Sequence, residues 1–167
     1  MGKKSKKVLL TLVLVAIALS LIAASGSSRF NQIEFGETAS FSAGRAGVSF
    51  TSSQYTGTVK LAKKNQNNAP GEQHPEFTQR LVDIRLYKYD GEQVKHIMGP
   101  VYAYFQVRQY EVKKWEQGLL KVYFFDTWKQ NWVPCYTMPV YRNGKVSSLS
   151  CRMRVFGLYG LGIAKSY

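Results

Sequence analysis

The segment Trp132–Gly157, WVPCYTMPVYRNGKVSSLSCRMRVFG, is the part of the sequence that says most about the fold. It contains both cysteines of the chain, Cys135 and Cys151, and the pair Asn143–Gly144 between them. Asn-Gly between alternating apolar residues is a strong short-range signal for a β-hairpin. The segment therefore predicts a β-hairpin whose strands are joined by a disulfide.

The turn and the cysteines predict the same register. A three-residue loop, 142–144, would place Gly144 in the left-handed position of a bulge and pair Tyr141 with Lys145. The same register sets Cys135 opposite Cys151, whereas a two-residue loop would shift them by one position. Two cysteines in an exported protein pair by default, and closing a loop of about 15 residues contributes ~3 kcal/mol in the chain-entropy model.

The second strand of the hairpin alternates between an inward and an outward row. The inward row is Ser147, Leu149, Cys151, Met153 and Val155. The outward row is Ser148, Ser150, Arg152 and Arg154. The first strand contains Pro134 and Pro139, and because proline lacks the ladder donor, this strand is predicted at a sheet edge or with a bulge.

Basic residues on the outer side of the hairpin form a candidate face for an anionic partner. They are Arg142, Lys145, Arg152 and Arg154. Arginine can bind carboxylate or phosphate with two parallel hydrogen bonds. The alternative is a charged strand that simply faces solvent.

Two tryptophans at the entrance of the hairpin form a candidate aromatic contact. Trp128 and Trp132, with Lys129 between them, could stack on sugar rings or lie at a membrane interface. The alternative is that Trp132 covers the core, since large aromatic side chains are mostly buried.

The preceding sequence predicts further short strands. They are Val48–Phe50, Gly57–Ala62, Arg80–Tyr89, Val101–Arg108 and Leu119–Asp126, the last being apolar on both faces and therefore central. Two of these strands have alternating rows predicted to share one face, namely Val82, Ile84 and Leu86, and Val101, Ala103, Phe105 and Val107. The polar segment 63–76 is predicted to be a surface loop, and 109–118 a turn of helix on which Glu111 and Glu116 face solvent. About seven or eight strands predict an all-β, antiparallel β-sandwich, with a small closed barrel as the alternative.

The N-terminus predicts export. Four lysines precede the uncharged run Val8–Ala24, which is typical of a signal segment. Ala23 and Ser25 form a cleavage site, but about 17 residues at 1.5 Å each reach ~26 Å, so a retained hydrophobic anchor helix is the alternative. Residues 1–25 are thus predicted to be a signal peptide or membrane anchor, and 26–167 an extracytoplasmic β-sandwich domain.

The charge of the chain favours anionic partners. The net charge is +13, and beyond the N-terminal lysines 19 basic residues remain against 10 acidic ones. Such a field attracts phospholipid head groups or anionic wall polymers, although it also serves solubility. We do not expect nucleic acid among the partners.

The sequence lacks the motifs of common catalytic and metal sites. It contains no G-x-S-x-G, no H-E-x-x-H and no calcium-binding loop. The carboxylates are scattered, and His74 and His96 have no partner pattern. We therefore predict that the protein is not an enzyme and has no catalytic residues, no metal site and no cofactor.

The sequence over residues 44–163 resembles a known module. The motifs are Val122–Asp126 (VYFFD), Trp132–Pro134, the Asn-Gly turn and Val155–Leu161 (VFGLYGL). In this order they are similar to the end of the ZU-five type β-sandwich of ankyrins and netrin receptors, and of related secreted bacterial modules, over residues 44–163. The resemblance implies an interaction or assembly domain and transfers no functional residue.

These observations predict an exported binding or structural module of the bacterial cell envelope. One alternative is a membrane-anchored accessory subunit of a membrane protein complex, in which an uncleaved Val8–Ala24 contacts the membrane. The other is a protein that binds carbohydrate or an anionic wall polymer.

Overall fold

The structure is a computed structural model that describes residues 28–164. Within this range the chain forms two antiparallel β-sheets, one α-helix and a short 3-10 turn, Gln66–Asn68. The all-β, sandwich-type fold is therefore confirmed, and because the two sheets remain separate, the closed barrel is wrong. The predicted signal or anchor segment, residues 1–25, and its hydrophobic helix lie outside the described residues.

The strands are β1 (Ser28–Ile33), β2 (Ala39–Ala43), β3 (Ala46–Phe50), β4 (Gly57–Lys64), β5 (Glu76–Phe77), β6 (Leu81–Tyr87), β7 (Val101–Gln106), β8 (Leu120–Asp126), β9 (Asn131–Pro134), β10 (Thr137–Arg142), β11 (Lys145–Arg152) and β12 (Gly157–Ile163). Helix α1 is Gln109–Glu116. Sheet A has the order β1-β4-β6-β12-β8-β9, with β5 beside β12, and sheet B has the order β10-β11-β7-β3-β2. The predicted strand number was too low: residues 28–164 contain twelve strands, which include the two-residue β5, and the first hairpin strand is divided into β9 and β10.

The core lies between the two sheets and is built from alternating apolar positions. In β7 the buried residues are Val101, Ala103 and Phe105, and in β6 the core-facing residues are Val82, Ile84 and Leu86. Both rows agree with the alternation predicted from the sequence. Because one face of each strand is buried, the period of two fixes the register of these strands.

Strand β11 follows its predicted rows up to its end at Arg152. Leu149 and Cys151 are buried in the core as predicted, but Val155 is exposed, since it lies beyond the end of the strand. Ser148 and Ser150 face outward as predicted, although their side chains are largely buried. They line a groove on the outer face of sheet B that the flanking strands β7 and β10 enclose.

A second apolar cluster covers the outer face of sheet A. It consists of Phe77, Leu81, Tyr123, Phe125 and Trp132. Strand β8 contributes to this cluster on one face and to the main core on the other, which confirms that it is apolar on both sides. A Cβ at Gly160 would lie 2.5 Å from the ring of Phe77, so only glycine lets this ring approach the sheet.

The buried hydroxyl of Tyr159 predicts a loss of stability at high pH. The side chain is fully buried and its hydroxyl donates to the carbonyl of Val155 over 2.6 Å. Burial raises the pKa of Tyr159 far above its usual value. Because the folded pKa lies above the unfolded one, this contribution to stability is complete below pH ~10 and is lost as the pH rises further. We expect the free energy of unfolding to fall by up to ~1.4 kcal/mol per pH unit from this group.

Urea unfolding between neutral and alkaline pH measures this slope. Above pH ~10 the free energy of unfolding of Tyr159→Phe should fall less steeply with pH than that of the wild type, since the phenylalanine ring cannot ionise. Tyr136→Phe, which changes a side chain that is 85% exposed, is the matched control and should keep the wild-type slope. Equal slopes in the wild type and Tyr159→Phe would contradict the prediction.

Candidate functional site

The chain crosses from sheet A to sheet B at Cys135 and Tyr136, between β9 and β10. The backbone N–H of Cys135 donates to the carbonyl of Val122 over 2.8 Å. The backbone N–H of Val122 donates to Thr137 Oγ1, also over 2.8 Å. The Cys135–Cys151 disulfide then joins this crossing to β11, so the predicted disulfide is confirmed.

The loop of the hairpin has two residues, and the predicted three-residue loop is wrong. Asn143 and Gly144 have φ values of 52° and 72°, which is the type I′ conformation that Asn-Gly favours. Lys145 therefore pairs with Arg142 and not, as predicted, with Tyr141. A bulge further along the hairpin then shifts the register once more.

The predicted register placed the two cysteines opposite each other in the ladder, and this prediction is wrong. Thr137 lies opposite Cys151, while Cys135 precedes β10 and belongs to the crossing between the sheets. The disulfide still forms because the two Cα atoms are 5.8 Å apart, within the usual range for bonded cysteines. Strand β10, which contains Pro139, lies at the edge of sheet B as predicted.

A cleft of about 780 Å³ opens beside the disulfide-bonded crossing. Apolar side chains that line it include Phe124 of β8, Met138 of β10 and Met153. Tyr102 of β7 and Tyr136, which is 85% exposed, also line the cleft. The cleft thus combines apolar surface with phenol hydroxyl groups, a composition typical of ligand sites.

Arg152 and Arg154 supply the charge of the cleft. Both are exposed, while Met153 between them is buried and donates its backbone N–H to the carbonyl of Val101 over 2.8 Å. Among residues 28–164 neither guanidinium forms an ion pair, and the cleft lining contains no acidic residue. Their charge is therefore available to an anionic ligand.

Arg142 and Lys145 do not extend this site. They pair at the tip of the β10–β11 hairpin, seven residues along β11 from Arg152. At about 3.3 Å per residue the separation is ~23 Å. The structure therefore divides the predicted basic face into two pairs at opposite ends of β11.

Trp128 and Trp132 also lie in different environments. Trp128 is 95% exposed on the β8–β9 turn, where its backbone N–H donates to Asp126 Oδ1. Trp132 is buried, its ring centroid is 4.6 Å from that of Phe77, and its Nε1 donates to the carbonyl of Pro70 over 2.8 Å. Trp132 thus covers an apolar cluster, as the alternative interpretation held, and only Trp128 is available for an aromatic contact.

Glu111 forms a buried polar network that the sequence did not indicate. The expectation that it faces solvent is wrong, because its side chain is fully buried. It pairs with Arg45, accepts a hydrogen bond from Thr78 Oγ1 over 2.9 Å, and accepts one from the backbone N–H of Arg108 over 2.7 Å. The last contact is the carboxylate half of a capping box, but the S/T-x-x-E signature of such a box is absent from the sequence because the N-cap residue is Arg108.

The register also shows which loops share an end of the sandwich. Arg29 donates to the carbonyl of Ser42 over 3.2 Å, which places the start of β1 beside the end of β2. Arg45, in the β2–β3 turn, donates to the carbonyl of Gln106 over 2.7 Å, at the end of β7. The hairpin tip lies at the same end, because the start of β11 pairs with the end of β7. Helix α1 also lies there, because it follows β7 directly. We call this the basic end, and the opposite end the cleft end.

The two ends differ strongly in charge. Among residues 28–164, eleven basic residues belong to the basic end, namely Arg29, Arg45, Lys63, Lys64, Arg80, Arg108, Lys113, Lys114, Lys121, Arg142 and Lys145. Its acidic residues are Glu76, Glu111 and Glu116. The cleft end balances five basic residues, Lys88, Lys95, Lys129, Arg152 and Arg154, with five acidic ones, Glu34, Glu37, Asp90, Glu92 and Asp126. Most of the excess positive charge is therefore at the basic end.

Two further features, a metal site and a membrane-spanning helix, are absent from the described residues. No group of three or more His, Cys, Asp or Glu side chains among residues 28–164 is arranged to hold a metal ion. No helix in the same range has the length and apolar character needed to cross a bilayer. No family model, curated protein or solved structure matches the chain.

Proposed function

We propose that the protein is a non-catalytic, extracytoplasmic module of the cell envelope that binds an anionic envelope polymer in the cleft at Arg152 and Arg154. The disulfide supports this location, since such bonds persist in oxidising compartments outside the cytoplasm. The signal-like N-terminus and the resemblance to ZU-five type modules agree with it and remain predictions.

The main support for the proposal is that Arg152 and Arg154 form no ion pair with a carboxylate among residues 28–164. They are two residues apart, both line the cleft, and Met153 between them is buried. A guanidinium binds phosphate or carboxylate through paired hydrogen bonds. Two such groups beside one cleft favour a ligand with repeated anionic groups over a single small anion.

The other residues that line the cleft indicate the chemistry of the uncharged part of the ligand. Tyr102 and Tyr136 offer flat rings with hydroxyl groups, which suit sugar or polyol units. The apolar surface from Phe124 and Met138 excludes water from part of the cleft and strengthens charge contacts there. A polyol or glycan chain that bears phosphate groups fits this combination.

Binding of a synthetic polyglycerol phosphate tests the proposal. Replacing both Arg152 and Arg154 with alanine should weaken binding about a hundredfold or more, because each charged hydrogen bond contributes about 1.5–3 kcal/mol. The affinity of the wild type should also fall steeply with salt. Isothermal titration calorimetry with the polymer, and with a neutral glucan for comparison, gives both quantities.

The double variant Arg142→Ala with Lys145→Ala is the matched control. It removes the same charge from the same hairpin, but at its tip, where Arg142 ends β10 and Lys145 begins β11. We expect an affinity within about twofold of the wild type, since the tip lies more than two Debye lengths from the cleft at physiological salt. Equal losses in the two double variants would show that only net charge matters and would rule out the cleft as the site.

A further inference from the structure

We propose that the basic end is a docking surface for anionic phospholipid head groups. Eight of its eleven basic side chains are exposed, and of its three acidic residues Glu111 is buried and already paired with Arg45. Exposed lysine and arginine side chains are attracted to anionic lipid head groups when they lie within about a Debye length of the membrane surface. This surface lies at the opposite end from the cleft, so the inference does not depend on the proposed function.

The position where the chain enters the domain supports the same orientation. Ser28 starts β1 at the basic end, and the apolar run Val8–Ala24 ends four residues earlier. Four residues span at most ~14 Å, even when fully extended. If Val8–Ala24 is retained as the membrane anchor, it therefore holds this end, and not the cleft end, close to the lipid surface.

Two exposed side chains suit the interfacial region of such a surface. Tyr110 on α1 is 46% exposed, and Leu119, directly after the helix, is 50% exposed. Tyrosine is enriched where membranes meet water, because its ring is apolar and its hydroxyl is polar. Lys113 and Lys114 lie on the same helix and would reach the head groups beside them. Docked in this way, the domain presents its cleft away from the membrane.

The lysines of the native sequence allow a test on the full chain without any substitution. The protein is reconstituted into vesicles of phosphatidylcholine, alone or mixed with phosphatidylglycerol, and labelled with a membrane-impermeant amine reagent. Mass spectrometry then gives the labelling rate of each lysine. We expect Lys64, Lys113, Lys121 and Lys145 to be labelled about three- to tenfold more slowly in the anionic vesicles, and this protection to disappear at high salt.

Lysines at the cleft end, Lys88, Lys95 and Lys129, are the internal control and should be labelled equally in both vesicles. Comparing the two sets within one molecule cancels the effect of vesicle orientation. Equal labelling of both sets, or protection of the cleft end, would overturn the proposal. It would also be overturned if soluble polyglycerol phosphate protected the basic-end lysines as strongly as the anionic vesicles, since the surface would then be a polymer site.

Discussion

Replacing Arg45 with methionine is expected to lower the free energy of unfolding by about 3–5 kcal/mol. The reason is the environment of its partner, Glu111, whose carboxylate is fully buried. Without Arg45 this charge keeps only the hydroxyl of Thr78 and the backbone N–H of Arg108 as donors. An uncompensated buried charge is among the most destabilising single changes in a protein.

A double-mutant cycle separates this effect from the loss of packing. Glu111→Gln should lower the free energy of unfolding by about 1–3 kcal/mol, which is less than the effect of Arg45→Met. The reason is that the Arg45 side chain is 30% exposed and reaches solvent on its own. The double variant should be clearly more stable than the sum of the two effects predicts, since neither charge remains unpaired. Urea unfolding of all four proteins measures the cycle.

Glu116→Gln is the control, because it changes an exposed carboxylate on the same helix. Its effect should stay within about 0.5 kcal/mol, as for most surface substitutions. Strict additivity of Arg45→Met and Glu111→Gln would contradict the coupling inferred from the structure. So would an effect of Arg45→Met no larger than that of Glu116→Gln.

The Glu111 network shows what sequence patterns could not predict. Its partners Arg45 and Thr78 lie 66 and 33 residues away in the chain, and no periodicity relates them. By contrast, the buried rows of β6 and β7 follow from alternation within a few residues, and both were predicted correctly. Short-range patterns determine which face of a strand is buried, whereas pairing between distant charges depends on how the strands assemble.

The hairpin shows a second limit of local patterns. Asn143–Gly144 predicted the turn correctly, but the register was chosen so that the cysteines faced each other within one hairpin. The chain instead changes sheets at Cys135, a step that depends on where both sheets end. The same step separates Trp132, buried against sheet A, from the residues of β10 in sheet B. Arg142 and Arg152 were likewise predicted on one face, but Arg142 lies at the tip of the hairpin and Arg152 at the far end of β11.

Reducing the Cys135–Cys151 disulfide is expected to lower the free energy of unfolding by ~3 kcal/mol, as the chain-entropy model gives for a loop of about 15 residues. The two cysteines are 16 residues apart in sequence. The variant Cys135→Ala with Cys151→Ala should lose at least as much, since Cys151 is fully buried and alanine leaves part of its space empty. Urea unfolding with and without a thiol reductant measures the effect, and the reductant should have no effect on the double variant.

The disulfide should also influence ligand binding, because Cys135 belongs to the crossing that lines the cleft. After reduction, the crossing keeps its backbone hydrogen bond to Val122 but loses its covalent link to β11, which bears Arg152. We expect the affinity for polyglycerol phosphate to fall severalfold at urea concentrations where the protein is still folded, because the cleft is less preorganised. The labelling of Lys113 and Lys145 at the basic end should not change. If reduction left the affinity unchanged while stability fell, the disulfide would stabilise the fold without positioning the cleft.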